Sequence, residues 1–345
     1  MAHLSRILAV AAILLLSACE GREPLYQEQG YVFGTLVEVS VYGEPEPRAR
    51  QAVTAVMQEF QRLHERLHAW QPSELSELNA AFAKGDSMAI SAELVAIIED
   101  ASKLSLQSDR LFNPAIGRLI QLWGFQSDEF AKAEPEDKQI AQWVSANPQM
   151  SDITIVRGRA VSTNKSVQLD LGGYAKGYAL DRAAALMRES NIRNALINVG
   201  GNVRALGQHG DRPWRVGIQH PRKPGALATL DLRDGEAVGT SGDYQRYFMV
   251  GKVRYCHLIN PGTGYPMQGV QAVTVLTHGP NAGVLSDAAS KPLFIAAAAG
   301  WRAAARKMNV AEAMLVDVHG TVHLTEAMEK RLKFGEKPVH PQVVP

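Results

Sequence analysis

A glycine-containing stretch at residues 169–178 carries the residue types that bind phosphate. Asp170 precedes the pair Gly172 and Gly173, and Lys176 follows three residues later. Paired glycines allow a tight turn in which the backbone approaches a ligand closely, and a helix beginning there directs its positive end to the same place. Asp170 can accept hydrogen bonds from a ribose or a base, or support a cation. The stretch therefore predicts a phosphate site, against the alternative of a strand end with a capping aspartate and a solvated lysine.

The sequence His64-Glu65-Arg66-Leu67-His68 matches the H-E-x-x-H pattern of zinc proteases. In that pattern two histidines one helical turn apart bind zinc, and the glutamate acts as the general base. An amphipathic helix predicted over residues 47–68 places both histidines on one face. A third ligand would have to come from further along the chain. A zinc protease is therefore an alternative function, and surface or half-buried histidines are the competing interpretation.

Three more residues have the chemistry of ligand contacts. Phe33 interrupts a strand predicted over residues 31–41, and Trp70 follows the helix of the histidine pair. Their flat rings suit stacking on an aromatic ligand, although a tryptophan that closes a core is commoner. His257 lies on a strand that ends in a turn, where an imidazole titrating near neutral pH can serve as a general base. A purely structural histidine fits the same position.

The elements that must position these residues follow from hydrophobic periodicity. Residues 166–171 alternate apolar and polar, which predicts a half-buried strand, and apolar residues at helical spacing follow from Ala175. The order is therefore strand, glycine turn, helix. A second glycine pair, Gly200 and Gly201, follows another predicted strand, and strands dominate after residue 153.

Composition excludes some classes of partner. The chain has 345 residues, of which 46% are hydrophobic, enough for a sizeable core. Its net charge of +1, from 36 basic and 35 acidic residues, argues against nucleic acid or an acidic lipid surface as the main partner. With two cysteines, Cys19 and Cys256, a disulfide framework does not hold the fold together.

The N-terminus resembles a bacterial lipoprotein signal. Basic residues precede a short apolar run that ends in Leu16-Ser17-Ala18-Cys19, a lipobox. We expect residues 1–18 to be removed and Cys19 to carry the lipid, which places the chain on the periplasmic side of a membrane. Multiple acyl chains would make this anchor stable. Residues 19–29 are polar and are predicted to form a tether.

Taken together, the ordered motifs resemble the ApbE family, the FAD:protein FMN transferases. The resemblance covers residues 31–324 and depends on the order of many motifs. These are Phe-Gly-Thr (33–35), Ser-Glu-Leu-Ser-x-Leu-Asn (73–79), Phe-Asn-Pro-x-x-Gly (112–117), Trp-Gly-Phe (123–125), Leu-Asp-Leu-Gly-Gly-x-Ala-Lys-Gly (169–177), Asn-Val-Gly-Gly-Asn (198–202), Thr-Ser-Gly-Asp-Tyr (240–244) and His-Leu-Ile-Asn-Pro-x-Thr-Gly (257–264).

The resemblance implies an α+β fold of mixed sheets and packed helices over residues 30–330, followed by a C-terminal tail at 331–345. It implies Mg²⁺-dependent transfer of FMN from FAD to a Thr or Ser hydroxyl of a target flavoprotein, with release of AMP. It places the Gly173 carbonyl, the Asp287 carboxylate and a group four residues later as magnesium ligands, and in such a site His257 could be the general base. The implied FAD contacts are Phe33, Trp70, Leu111, Phe112, Asn113, Asp170, Lys176 and Leu258.

One departure concerns the implied metal site. Many family members have a threonine four residues after the aspartate, where this chain has Lys291. An ammonium group cannot ligate a cation. Ser290 or a backbone carbonyl therefore substitutes, or Lys291 occupies the site and neutralises phosphate directly. Weakened or altered magnesium dependence is expected.

The same lysine supports an alternative: a lipoprotein that binds or hydrolyses FAD without transferring FMN. If transfer occurs, the resemblance implies acceptors in membrane electron-transfer complexes, such as sodium-pumping NADH:quinone oxidoreductase or Rnf-type subunits. No nucleic-acid partner is expected.

Overall fold

The computed structural model describes residues 24–127, 133–335 and 341–344, which fold as α+β, as the resemblance implies. The helices of these residues are α1 (Glu46–Leu67), α2 (Glu74–Lys84), α3 (Ala92–Gln107), α4 (Gly117–Leu122), α5 (Asp137–Ala146), α6 (Ala175–Glu189), α7 (Ala282–Ile295), α8 (Ala297–Lys307) and α9 (Glu326–Glu329). The strands are β1 (Leu25–Val32), β2 (Thr35–Tyr42), β3 (Met88–Ala89), β4 (Ile153–Val156), β5 (Arg159–Ser162), β6 (Ala195–Val199), β7 (Asn202–Leu206), β8 (Trp214–Gln219), β9 (Ala226–Leu232), β10 (Ala237–Gly242), β11 (Tyr247–Val250), β12 (Val253–Cys256), β13 (Val270–Thr277), β14 (Glu312–Asp317), β15 (Val322–Thr325), β16 (Leu332–Phe334) and β17 (Gln342–Val344).

A nine-stranded sheet forms the centre of the fold, in the order β1-β2-β6-β7-β10-β13-β14-β15-β17. Its neighbours are antiparallel except for β15 and β17, which run parallel. Three small sheets surround it, with the orders β16-β9-β8, β3-β5-β4 and β11-β12. The large sheet is thus the frame from which helices and loops reach the candidate site.

The two faces of the sheet bury different cores because successive strand residues point to opposite sides. On β13, Val273 and Val275 belong to the larger core, which includes apolar residues of α1, α6 and α7. Their neighbours Ala272 and Leu276 belong to a second core that also holds Leu230 of β9. One face is therefore covered by helices and the other by the sheet β16-β9-β8.

Helix α1 confirms the amphipathic helix predicted over residues 47–68. It buries a stripe of apolar residues at helical spacing, including Val53, Phe60 and Leu67. Pro47 lies in its first turn, where the missing N–H has no intrahelical partner to lose. The helix ends at Leu67, so His68 and Trp70 begin the connection to α2.

The predicted tether is too long at its C-terminal end. Strand β1 begins at Leu25, and it pairs with β2 in unbroken register from Leu25 opposite Tyr42 to Val32 opposite Thr35. As the edge strand it has a more exposed face, and its polar residues give it the composition of a linker. The interruption at Phe33 is the turn of this hairpin.

The predicted tail also contains strands. Leu332 is buried, and β16 pairs with Ala228 and Leu230 of β9. Arg331 makes an ion pair with Glu236 at 2.7 Å. Strand β16 has only three residues, which is too short for an alternating pattern to be recognised in the sequence. Among the described residues, no helix is long and apolar enough to cross a bilayer; Cys19 and residues 1–18 lie outside them.

Candidate active site

The segment before the glycine turn is held by the Asn79 side chain and by the loop at residues 114–117 instead of by a sheet. The predicted strand over residues 166–171 is wrong, because this segment is extended but makes only an isolated bridge, Gln168 to Ile116. The amide of Asn79 clamps Leu169, with its Nδ2 2.9 Å from the Leu169 carbonyl and its Oδ1 2.7 Å from the Leu169 N–H. The apolar side chains of Val167, Leu169 and Leu171 are buried as the alternation predicts, but the hydrogen bonds of the segment go to Asn79 on α2 and to the backbone of residues 114–117.

The helix predicted after the turn is confirmed, since α6 begins at Ala175. The N–H groups of Tyr174 and Ala175 both donate to the Leu171 carbonyl at 2.8 Å, which closes the turn. The Gly177 N–H donates to Asp287 Oδ2 at 3.0 Å. A carboxylate from α7 therefore lies at the N-terminal end of α6, where the helix dipole favours negative charge.

Close packing of two glycines brings α7 to this position. A Cβ built on Gly177 would overlap the Gly283 carbonyl and lie 2.8 Å from Cβ of Asp287. A Cβ on Gly283 would in turn overlap the Gly177 carbonyl. The backbones of α6 and α7 therefore touch at these glycines. This close approach brings the Asp287 side chain within hydrogen-bond distance of the Gly177 N–H.

Asp170 and Trp70 form one side of the turn. The indole Nε1 donates to Asp170 Oδ2 at 3.1 Å, and the Gly172 N–H donates to Asp170 Oδ1 at 2.8 Å. Burial raises the pKa of Asp170, although these two hydrogen bonds and the charge of Arg246 act in the opposite direction. The carboxylate thus fixes both the tryptophan ring and the glycine turn.

The histidine pair supports that tryptophan. The His68 Nδ1 accepts hydrogen bonds from the N–H groups of Trp70 at 3.1 Å and Gln71 at 2.9 Å. The rings of His64 and His68 lie 5.2 Å apart, and His64 contacts the Phe33 ring edge to face at 5.7 Å. Phe33, His64 and His68 therefore form a continuous row that ends at Trp70.

This arrangement differs from that of a zinc protease. Glu65 is exposed and accepts a hydrogen bond from Gln61 at 2.6 Å. Across residues 24–127, 133–335 and 341–344, no group of three or more His, Cys, Asp and Glu side chains could hold a metal ion. The Nδ1 atom of His68 accepts hydrogen bonds from the backbone N–H groups of Trp70 and Gln71, so this histidine positions the backbone.

Asp287 lies on the other side of the turn and is paired with Lys291. The Lys291 ammonium contacts Asp287 Oδ1 and donates to the Asp287 backbone carbonyl at 2.8 Å. Burial alone would raise the pKa of the Asp287 carboxyl, but the charges of Lys291 and Lys176 outweigh it, and the pKa is lowered. The buried carboxylate is thus ionised and compensated by two lysines.

Gly173 and Ser290 complete the surroundings of this pair. The Lys291 side chain crosses Gly173, since a Cβ there would lie 3.2 Å from Lys291 Cε and 3.5 Å from the Phe112 ring. The Ser290 hydroxyl is buried, contacts Ser241 Oγ at 2.7 Å and donates to the Asp287 carbonyl at 2.7 Å. Ser290 is therefore already satisfied inside the protein.

His257 is neutral and oriented by Arg246. Burial lowers the pKa of His257 to about 3, and the positive charges of Lys176, Arg246 and Lys291 add to the effect. Its Nδ1 lies 3.2 Å from the Arg246 carbonyl. Because a carbonyl only accepts, Nδ1 carries the proton and Nε2 keeps its lone pair. Burial likewise lowers the pKa of Lys176.

Arg246 was missed by the sequence reasoning. Its guanidinium donates to the carbonyls of Phe125 at 3.1 Å and Ser127 at 2.9 Å, and its charge acts on Asp170, Lys176 and His257. The one feature of the sequence that points to Arg246 is its position two residues after the Thr-Ser-Gly-Asp-Tyr motif. Its proximity to Asp170, Lys176 and His257 comes from the fold.

Most of the remaining side chains predicted to contact FAD lie in the core or make hydrogen bonds within the protein. Phe112 and Leu258 are buried in the larger core, and Leu111 is half-buried just before Phe112. The Asn113 amide is used within the protein, donating to the Pro148 carbonyl at 2.9 Å and accepting from the Ala115 N–H at 3.1 Å. Asn113 thus shapes the loop that also binds the turn, since Asp170 N–H donates to the Pro114 carbonyl at 2.8 Å.

The fold and the site define an α+β protein with a cationic glycine turn next to a buried, neutral histidine. A sequence profile of the ApbE family matches residues 33–315. The chain belongs to this family.

Relatives and solved structures agree with that assignment. A Rhodobacter capsulatus protein named FAD:protein FMN transferase is 41% identical over 95% of this chain, which spans 63% of that relative's length. A Haemophilus influenzae protein of the same name is 25% identical, with coverage of 91% of this chain and 92% of that protein. The crystal structure of the Thermotoga maritima ApbE protein matches with a TM-score of 0.82 at 29% identity, covering 89% of this chain and 99% of that one.

Proposed function

We propose that this chain transfers FMN from FAD to a threonine or serine hydroxyl of target flavoproteins and releases AMP. The juxtaposition at the glycine turn carries the proposal. Trp70 and Asp170 line one side, Lys176 and Lys291 supply positive charge, and neutral His257 lies within electrostatic range of both lysines. The names of the relatives support the same activity.

In this proposal the pyrophosphate of FAD lies at the turn and the N-terminal end of α6, where the helix dipole and the lysines favour anions. The aromatic and apolar side chains hold the flavin and the adenosine. The proposed FAD contacts are Phe33, Trp70, Leu111, Phe112, Asn113, Asp170, Lys176 and Leu258.

The reaction forms one bond to phosphorus and breaks another. The acceptor hydroxyl oxygen attacks the phosphorus of the FMN half, and the bridging P–O bond to AMP breaks. The hydroxyl proton passes to Nε2 of His257, which the Arg246 carbonyl keeps in the required tautomer. AMP leaves with the bond's electron pair, and the charge on its phosphate is stabilised by Lys176 and Lys291.

The magnesium ion implied by the resemblance does not fit the residues present. Mg²⁺ needs several oxygen ligands at about 2.1 Å in near-octahedral geometry. Here Asp287 Oδ1 is in contact with the Lys291 ammonium, Oδ2 accepts from Gly177, and the Asp287 carbonyl accepts from Lys291 and Ser290. We therefore assign no step to a metal at this position.

The ion pair between Lys291 and Asp287 favours a second candidate function. The Lys291–Asp287 pair could allow FAD to bind without productive transfer, leaving a protein that binds or hydrolyses FAD. The two functions differ in whether a covalent product appears on the acceptor.

Mass spectrometry of an acceptor separates them. The purified chain is incubated with FAD and a flavoprotein domain that carries a candidate threonine. The expected result is an acceptor mass raised by one FMN less one water, with AMP released in equal amount. The same domain with that threonine replaced by valine is the control. FAD binding without any mass gain on the acceptor would contradict the proposed transfer.

The lipobox also supports a proposal about the cellular location of the chain. We expect Cys19 to carry the lipid, the chain to face the periplasm, and its acceptors to belong to membrane electron-transfer complexes. Labelling with a radioactive fatty acid tests the anchor: wild-type protein should incorporate it and Cys19→Ala should not.

A further inference from the structure

The pairing of Lys291 with Asp287 places a fixed positive charge beside the glycine turn. The two residues are one helical turn apart on α7, and the Lys291 side chain is 15% exposed whereas that of Asp287 is fully buried. A Cβ built on Gly173 would lie 3.2 Å from Cε of Lys291, so the stem of the lysine packs over this glycine. The ammonium therefore lies between the buried carboxylate and the backbone of the turn.

The ammonium also competes with a divalent cation for the same oxygen. A metal bound at Asp287 Oδ1 would have to displace a cation that makes an ion pair inside the protein. Breaking a buried pair is strongly unfavourable because it leaves a charge uncompensated. The lysine would also have to move away from the metal, although its stem is packed over Gly173.

Lys291 keeps bonding capacity for a ligand. An ammonium has three donors, and two of them are used on Asp287 Oδ1 and the Asp287 carbonyl. One donor is left for a phosphate oxygen. Lys176 and Arg246 contribute further positive charge, since both act on His257 together with Lys291. The side chains of Lys291, Lys176 and Arg246 are thus close enough to His257 for their charges to act on it, and in this proposal they take over the charge neutralisation that a divalent ion would supply.

We propose that the Lys291 ammonium substitutes for the divalent cation and binds the pyrophosphate of FAD directly, so that this chain binds FAD without a metal. The inference depends on the proposed function for the identity of the ligand. It predicts metal-independent FAD binding in the wild-type chain and a metal requirement once a hydroxyl replaces the ammonium.

Flavin fluorescence measures FAD binding in EDTA and in Mg²⁺ for the wild-type chain and two variants. The wild-type chain should bind FAD with the same dissociation constant in both. Lys291→Thr should bind about tenfold more weakly in EDTA, as expected for the loss of a charge-assisted hydrogen bond, and Mg²⁺ should restore its affinity. Lys291→Met fills the space without charge or ligand, so it should bind weakly under both conditions.

A surface lysine supplies the matched control. Lys307 forms an exposed ion pair with Asp109 at the end of α8. The variant Lys307→Thr makes the same chemical change away from the turn. It should bind FAD as the wild-type chain does, with and without Mg²⁺.

Manganese binding tests the same inference without FAD. Electron paramagnetic resonance should detect bound Mn²⁺ with Lys291→Thr and not with the wild-type chain, and Mg²⁺ should raise the melting temperature of that variant alone. Absence of FAD binding by every variant would contradict the proposed function, and the manganese measurement would still decide the metal question. The inference fails if the wild-type chain loses FAD affinity in EDTA or binds Mn²⁺ as tightly as Lys291→Thr.

Discussion

As the proposed general base, His257 combines two opposing properties. A pKa of about 3 makes its imidazole a weak base, but the same shift keeps the ring neutral throughout the physiological range. The Arg246 carbonyl fixes the proton on Nδ1, so every molecule presents the Nε2 lone pair. The residue gives up basicity and gains a constant protonation state.

The pH dependence of transfer should reflect that shift. A base works when deprotonated, so a lowered pKa extends activity to lower pH. At pH 5.5 an unperturbed histidine would lose about tenfold in activity, because only about a tenth of it is neutral. We expect kcat/KM, which reports the free protein, to show no such fall from His257 between pH 7 and 5.5. An acid limb centred near pH 6.5 and absent from His257→Gln would contradict this assignment.

The same variant measures the contribution of the base. His257→Gln should reduce the rate of FMN transfer by about a hundredfold or more, because no group then accepts the hydroxyl proton. Its FAD dissociation constant should stay close to the wild-type value. Single-turnover transfer and flavin fluorescence separate the two quantities. Equal losses in binding and in rate would show a structural role instead.

His68 has a positioning role that the H-E-x-x-H pattern does not suggest. It holds the Trp70 N–H, and Trp70 in turn binds Asp170. His68→Ala should weaken FAD binding by about threefold to tenfold, the cost of one or two neutral hydrogen bonds. His68→Asn, whose side-chain oxygen can accept the same N–H groups, should recover most of the affinity. Flavin fluorescence measures both.

The matched control is Glu65→Gln. Glu65 is exposed, so FAD binding should not change. A zinc protease would lose its base in this variant, and zinc would copurify with the wild-type chain. Stoichiometric zinc by elemental analysis would overturn the positioning role of His68.

At the scale of elements, the contact between α6 and α7 determines the site. Gly177 and Gly283 allow the two backbones to touch, and the Gly177 N–H binds Asp287 as a result. The Lys-Gly pair of the motif thus has two tasks: the lysine supplies charge to the site, and the glycine admits the neighbouring helix.

Gly177→Ala should therefore act through helix packing. The added methyl group overlaps backbone that cannot rotate away, so we expect a loss of about 1–3 kcal/mol in the free energy of unfolding, measured with urea. Gly335→Ala, where a Cβ meets nothing within 4 Å, should stay within about 0.5 kcal/mol of the wild-type value. An unchanged stability for Gly177→Ala would show that the helices separate at little cost.

Sequence patterns predicted those elements whose periodicity reflects burial on one face. Helices α1 and α6 were found in this way. The extended segment before Gly172 has the alternation of a strand, but alternation does not reveal which groups accept the hydrogen bonds. Likewise, Arg246 is one arginine in a loop, and nothing local shows that it will lie near His257. The exchange at Lys291 was visible from the motif, but its contact with Asp287 needed the structure.

At the scale of the molecule, a surface ion-pair cluster joins the strands of the outer small sheet. Asp231 on β9 pairs with Arg215 on β8 at 2.8 Å and with Lys333 on β16 at 2.8 Å. Hydrogen bonds from Arg215 and Lys333 lower the pKa of Asp231 to about 2. Strand β16 is thus attached to β9 by an ion pair as well as by strand pairing.

This cluster predicts a small, acid-sensitive contribution to stability. Because the pKa of Asp231 is lower in the folded chain than in the unfolded chain, its ion pairs stabilise the fold at pH values above the unfolded pKa of 3.8. This contribution to the free energy of unfolding is lost as the pH falls through the folded pKa of about 2. Asp231→Asn should cost less than about 1 kcal/mol at pH 7, because the group is partly exposed. The difference from wild type, measured by urea unfolding, should shrink between pH 4 and pH 2. A constant difference over that range would exclude the ion pairs as its source.

The attachment of Asp287 to α6 has an evolutionary consequence. Its Oδ2 is held by the Gly177 N–H and not by Lys291, so the carboxylate can keep its position when residue 291 changes. Lysine and threonine codons can differ by a single base. If the proposed role of Lys291 holds, a lineage with this fold can exchange a built-in charge for a bound divalent ion in one mutational step, without rebuilding the site around Asp287.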